Sequence, residues 1–74
     1  MDILERVRNS IAIMRKWKED NRQISDMRAF VSEDVFAELK QTGVMTMSVA
    51  GRYFLDNTPI LEVKDYPRGY ISVE

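Results

Sequence analysis

From residue 2 to residue 21 the chain carries neither glycine nor proline, and its apolar residues return at helical spacing. Leu4, Val7, Ile11 and Met14 follow at alternating steps of three and four residues, which lines them up as one stripe on an α-helix. Ile3, Ile13 and Trp17 widen the stripe on its flanks. Asp2 stands where an N-cap belongs, and Glu5, three residues on, completes a capping-box-like pair. Arg15, Lys16 and Lys18 bring positive charge to the end that the helix dipole makes negative. A helix over 2–21 takes up more than a quarter of the 74 residues. Whatever the rest folds into must cover its stripe.

Residues 21–26 are polar and aperiodic and read as a connector. Residues 27–31 alternate, with Met27, Ala29 and Val31 on one side and Arg28 and Phe30 on the other, the pattern of a short strand. Ser32 is placed to cap a second helix over 33–41, with Glu33 and Asp34 in its first turn, Val35, Phe36 and Leu39 on its apolar face, and Gly43 as its stop. A helix this short is marginal alone and has to dock. From residue 44 to residue 74 the chain reads as a β meander. Gly51 marks a bulge, bend or turn, residues 56–59 form one turn, and residues 66–69 form another with Pro67 at its second position. These elements predict a two-layer α+β domain in which the long helix packs across a small, mainly antiparallel sheet of three or four strands, the short helix beside it. The stripe Leu4, Val7, Ile11, Met14 serves that core, or else it is a seam for a second copy or another protein, since a coiled coil uses the same spacing.

Composition removes several classes. The chain has no Cys and no His, so disulfide frameworks, zinc ribbons and His-based triads are out. With 11 Lys+Arg against 12 Asp+Glu it is neither a general nucleic-acid coat nor a polybasic membrane binder. No apolar stretch nears the ~20 residues of a membrane span, and the N-terminus lacks a signal peptide's apolar block. A cytoplasmic, cofactor-free protein is the expectation.

Between residues 27 and 73 a particular order of motifs appears. A strand leads to Ser-Glu-Asp-Val-Phe-Ala-Glu-Leu at 32–39; Leu-Asp-Asn-Thr-Pro-Ile follows at 55–60, and Val-Lys-Asp-Tyr-Pro-Arg-Gly-Tyr-Ile at 63–71. This resembles the core segment of tailed-phage major capsid proteins, where a strand and short helix precede a glycine-x-Pro-(Ile/Val) hairpin and a later Pro-x-Gly turn. Pro59, Ile60, Pro67 and Gly69 match as they stand, while Asn57 takes the glycine's place. Seventy-four residues are too few for a shell subunit with its arms and peripheral domain. The resemblance therefore implies provenance, a small phage or prophage protein, and carries no capsid role.

Catalytic candidates are few. Asp20, Asp26, Glu33 and Asp34 sit around helix ends, where capping accounts for them, and the serines at 10, 25, 32, 48 and 72 have no His and no nucleophile elbow. Gly43 and Gly51 are not followed by the Lys-Ser/Thr of a phosphate loop, and no calcium-type carboxylate loop is present. For nucleic acid the candidates are Arg15, Lys16, Lys18 and Arg22 around Trp17, diluted by Glu19 and Asp20. For protein binding they are Met45 and Met47 on one side of a strand, with Tyr53, Tyr66 and Tyr70 and an open sheet edge. The sequence thus favours a non-enzymatic module of phage or mobile-element origin that binds and occludes or sequesters a host or defence protein. Homodimerisation would help so small a core. A virion-assembly or accessory structural protein is the runner-up, and a weak nucleic-acid-binding module comes third.

Overall fold

The computed structural model describes residues 2–23 and 26–74; Ile24 and Ser25 of the expected connector, and Met1, lie outside the described residues. Two helices and five strands follow in the order α1 (Ile3–Asp20), β1 (Ala29–Val31), α2 (Glu33–Thr42), β2 (Thr46–Met47), β3 (Tyr53–Leu55), β4 (Thr58–Glu62) and β5 (Ile71–Val73). The class is α+β. The strand count is five, against the three or four read from the sequence.

Local chemistry explains the helix ends. The Asp2 carboxylate accepts from the Glu5 amide at 2.8 Å, satisfying one free donor of the first turn. Asn21 ends α1 as its C-cap, its side-chain amide donating to the Trp17 carbonyl at 2.8 Å. Ser32 occupies the N-cap position of α2 but makes no side-chain bond to the helix amides. Its hydroxyl donates instead to the Asp34 carboxylate. Gly43 caps α2 in the left-handed region at φ 70°, which only glycine enters freely.

The sheet order is β2-β3-β4-β1-β5. β2, β3 and β4 form an antiparallel run, so a meander is present only up to β4. β1 then runs parallel to β4, with Ala29 opposite Ile60 and Val31 opposite Glu62. β5 lies on the far side of β1, antiparallel, with Ala29 opposite Val73. β5 therefore does not continue the meander from β4: it crosses β1 to reach the opposite edge. Reciprocal bonds between Arg28 and Glu74 (3.2 and 2.9 Å), and Ser32 N–H to the Tyr70 carbonyl (3.0 Å), prolong the β1–β5 ladder at both ends.

The turns differ from expectation in two places. Only Asp56 and Asn57 turn the β3–β4 hairpin, both at positive φ (49° and 68°), the conformation a two-residue hairpin demands. Thr58 and Pro59 belong to β4. Pro59 is tolerated because it sits opposite Phe54, one step beyond the closing pair Leu55–Thr58, where an antiparallel ladder asks for no bond. In the later turn Pro67 takes the first position, not the second. Tyr70 N–H bonds to the Pro67 carbonyl at 3.1 Å, and Gly69 supplies the positive φ (77°) that a type II turn needs at its third residue.

Both helices cover the same face of the sheet. Val7 and Ile11 of α1 and Val35 and Leu39 of α2 are buried against Ala29, Val31, Leu55 and Ile60. The registers Tyr53–Ile60 and Ala29–Ile60 put these strand residues on one side. Ile3, Leu4, Met27, Phe36, Val44, Met45, Ile71 and Val73 pack around them. Among the described residues, no helix is long and apolar enough to cross a membrane.

Candidate functional site

The helix stripe does not form a free seam. Val7 and Ile11 are buried inside one chain, and Leu4 packs against the same core. Met14 is half-buried, whereas Trp17 is 52% exposed, beside Ile13 on the solvent side of α1. The choice left open between core and seam thus falls to the core, because the sheet's own apolar face is there to receive the stripe.

The other candidates scatter. Met45 packs against the core, while Met47, opposite Tyr53 on the short edge strand, is 62% exposed. Tyr53 packs edge-on against Phe36 at 5.2 Å, and the Lys40 ammonium lies 5.6 Å from its ring centre. Tyr66 and Tyr70 stack edge-on at 4.7 Å near the β5 edge, three strands from Tyr53. The tyrosines are therefore two separate groups. The cations of α1 also separate. Lys16 pairs with Asp20 at 4.0 Å, Lys18 donates to the Asp26 carbonyl at 3.5 Å, and Arg22 lies in the left-handed region just past the helix. Arg15 lines a cleft at the end of the sheet.

Among the acidic residues, Asp34 has a structural task. Its carboxylate accepts from the Ser32 hydroxyl and, at 3.0 and 3.1 Å, from the Gly69 amide, with Arg68 at 4.0 Å. The Ser32 hydroxyl first, and the Gly69 amide next, hold its pKa below the usual aspartate value. This fixes the turn before β5 to the start of α2. Among the described residues, no three His, Cys, Asp or Glu side chains converge as a metal site.

The surface that stands out lies on the other side of the sheet. Residues one step out of phase with the core point away from the helices, and the registers place them as neighbours. Phe30 (β1) is beside Leu61 (β4), and Phe54 (β3) is opposite Pro59 (β4). One step further along, the same registers set Arg52 beside Leu61 and Arg28 beside Pro59. An apolar diagonal, Phe54–Pro59–Leu61–Phe30, thus crosses the sheet with an arginine in each remaining corner. Phe30, Phe54 and Pro59 are half-buried, and Leu61 is 39% exposed. No helix lies over them.

Two open clefts of about 770 and 700 Å³ run along this region. Arg28, Arg52 and Pro59 line both. Arg15, Asp26, Met27, Phe54, Asn57 and Thr58 complete the first, and Phe36, Gly51, Tyr53, Ile60, Leu61 and Glu62 complete the second. Arg28 lies 3.6 Å from Glu74. Chemically the surface offers apolar contact, cationic donors and the carboxylates of Asp26 and Glu62.

None of the six residues of the diagonal and its corners was a candidate in the sequence. The available signal was in β1, where Phe30 faces away from Ala29 and Val31: a short strand apolar on both sides must meet something on each. Comparison with protein-family models, with curated proteins and with solved structures returns no match to this chain.

Proposed function

We propose that the chain is a non-enzymatic binding module of phage or mobile-element provenance. In this reading it lays the uncovered face of its sheet on a protein of the host or its defences and occludes it. The observation that carries this is the apolar diagonal Phe54–Pro59–Leu61–Phe30, left bare while the opposite face is covered by both helices. Aromatic residues and arginine are enriched where proteins meet partners. The provenance rests on the resemblance over residues 27–73, and the left-handed φ of Asn57, 68°, is compatible with its standing in a glycine's place.

Charge weighs against nucleic acid as the occupant. The face and its margin hold Arg15, Arg28 and Arg52 against Asp26, Glu62 and Glu74, with no positive surplus, and nucleic-acid affinity grows with the number of phosphates neutralised. Val7 and Ile11 of the helix stripe are buried within one chain, so a homodimer would form through other surfaces, this face or an open sheet edge. Light scattering across a concentration range separates a fixed dimer from the growing species of a virion-assembly protein.

The test is affinity capture from host lysate with the wild type and with Phe30→Ser/Phe54→Ser. Both side chains lie outside the buried core, so circular dichroism should show the fold retained. A partner held by the wild type and lost by the variant is the expected result. A partner held equally by both would move the function off this face.

A further inference from the structure

The binding reading leaves the partner's chemistry open, and the two arginines of the face narrow it, because they are not equivalent. Arg28 has the Glu74 carboxylate beside it at 3.6 Å. Arg52 has no ion pair among the described residues. Its backbone is fixed: its amide donates to the Ser48 hydroxyl at 3.2 Å, and its carbonyl accepts from the Ser48 amide at 2.8 Å. Tyr53, the next residue, packs toward α2, so strand alternation directs Arg52 to the uncovered side.

No carboxylate of the described residues pairs with Arg52, although Asp26 lines the first cleft with it and Glu62 the second. Glu62 is in register with Val31, whose side chain is buried under the helices. Glu74 extends β5, three strands away, and is already engaged by Arg28. Yet Arg52 lies beside Leu61 and two residues from Phe54, and it lines both clefts. A body that covers the apolar diagonal therefore covers Arg52 as well. Burying a guanidinium without an acceptor is costly, and its fork of N–H donors fits a carboxylate in two-point fashion.

Resting on the reading above, we infer that the protein partner sets a carboxylate against Arg52, on a surface whose apolar side chain fills the diagonal. A second copy of this chain fits less well, since it would bring its own Arg28 and Arg52 to the seam, and its Glu74 is paired with Arg28.

The test uses the full chain labelled with ¹⁵N and three probes. They are a pentapeptide with a central tryptophan flanked by two acidic residues on each side, its counterpart with asparagine and glutamine, and a hexamer of deoxythymidine. Amide shifts report where each probe binds and how tightly. The acidic peptide is expected to move the amides of Phe30, Arg52, Phe54 and Leu61. It should bind about fivefold more tightly than its neutral counterpart, the scale of a solvent-exposed ion pair. Arg52→Gln should abolish that preference, and Lys16→Gln, on the far side of α1, should leave it intact.

Equal binding of the two peptides at the open face would overturn the carboxylate while leaving the face as a protein-docking surface. Preference surviving in Arg52→Gln, or shifts that map elsewhere, would overturn it too. Tighter binding of the oligonucleotide at this face would overturn both this inference and a protein as the occupant.

Discussion

Two leucines on adjacent strands give a quantitative check on which face of the sheet is covered. Leu55 on β3 is fully buried under the helices, and Leu61 on β4 is 39% exposed on the opposite face. Truncating Leu55 to alanine removes about three buried carbons at ~0.8 kcal/mol each. It also leaves a cavity between the sheet and the helices, so the loss should be about 3–4 kcal/mol. Truncating Leu61 removes the same atoms from a site already open to water. No closed cavity forms, and only the buried share of the transfer term is lost, about 1 kcal/mol. A domain of this size has a total stability of roughly 4–11 kcal/mol. Leu55→Ala should therefore bring the protein close to its threshold, while Leu61→Ala should shift the urea midpoint less than half as far. Equilibrium urea unfolding followed at 222 nm measures both, and circular dichroism is the better probe because Trp17 is half exposed in the folded chain. Equal losses at the two positions, measured in dilute monomer, would refute the assignment of Leu61 to a bare face and with it the basis of the binding proposal.

The pH dependence of stability should carry the mark of Asp34. The Ser32 hydroxyl and the Gly69 amide stabilise its ionised form, so its pKa is lower folded than unfolded. The contribution is then fully present above the ordinary aspartate range and is lost as pH falls through the folded value. Asp34→Asn should flatten that part of the acid unfolding curve and leave stability near pH 7 reduced; an unchanged acid limb would contradict the assigned role. At Asn57, whose φ is 68°, Asn57→Gly should be neutral or slightly stabilising, whereas Asn57→Val should cost about 1–2 kcal/mol, both read by thermal melts. A valine variant as stable as the wild type would mean the hairpin turn is not held in that conformation.

Much of the local structure was legible because its causes are local. The gap in glycine and proline from residue 2 to residue 21, the Asp2 cap, the alternation of Ala29, Phe30 and Val31, and the stop at Gly43 each act within a turn or a strand. What was not legible depends on residues far apart. Ile71 and Val73 look alike whether β5 lies beside β4 or beside β1; only the covered face, which must be continuous beneath α1, decides it. The same gap hid the open face. Phe30 and Arg28 read only as the second side of a short strand, and Phe54 and Arg52 carry no signal of their own, until the sheet order brings them together from strands separated by more than twenty residues. Ser32 holds the N-cap position read from the sequence, but its hydroxyl does not cap. It donates to Asp34 two residues later, whose carboxylate also binds the Gly69 amide.

The placement of β1 between β4 and β5 bears on how the chain reaches its fold. Ala29 is flanked by Ile60 and Val73, so both neighbours of this strand come 31 and 44 residues after it. Closing loops of that length costs entropy before any pairing repays it, and α2 cannot persist by itself in the meantime. The β2–β3–β4 hairpins can assemble early from nearby residues, but β1 gains nothing until that unit arrives, and β5 has no site until β1 is seated. Folding should therefore be a single cooperative step, slow for so short a chain, with α1 and the hairpin unit meeting over β1 at the barrier.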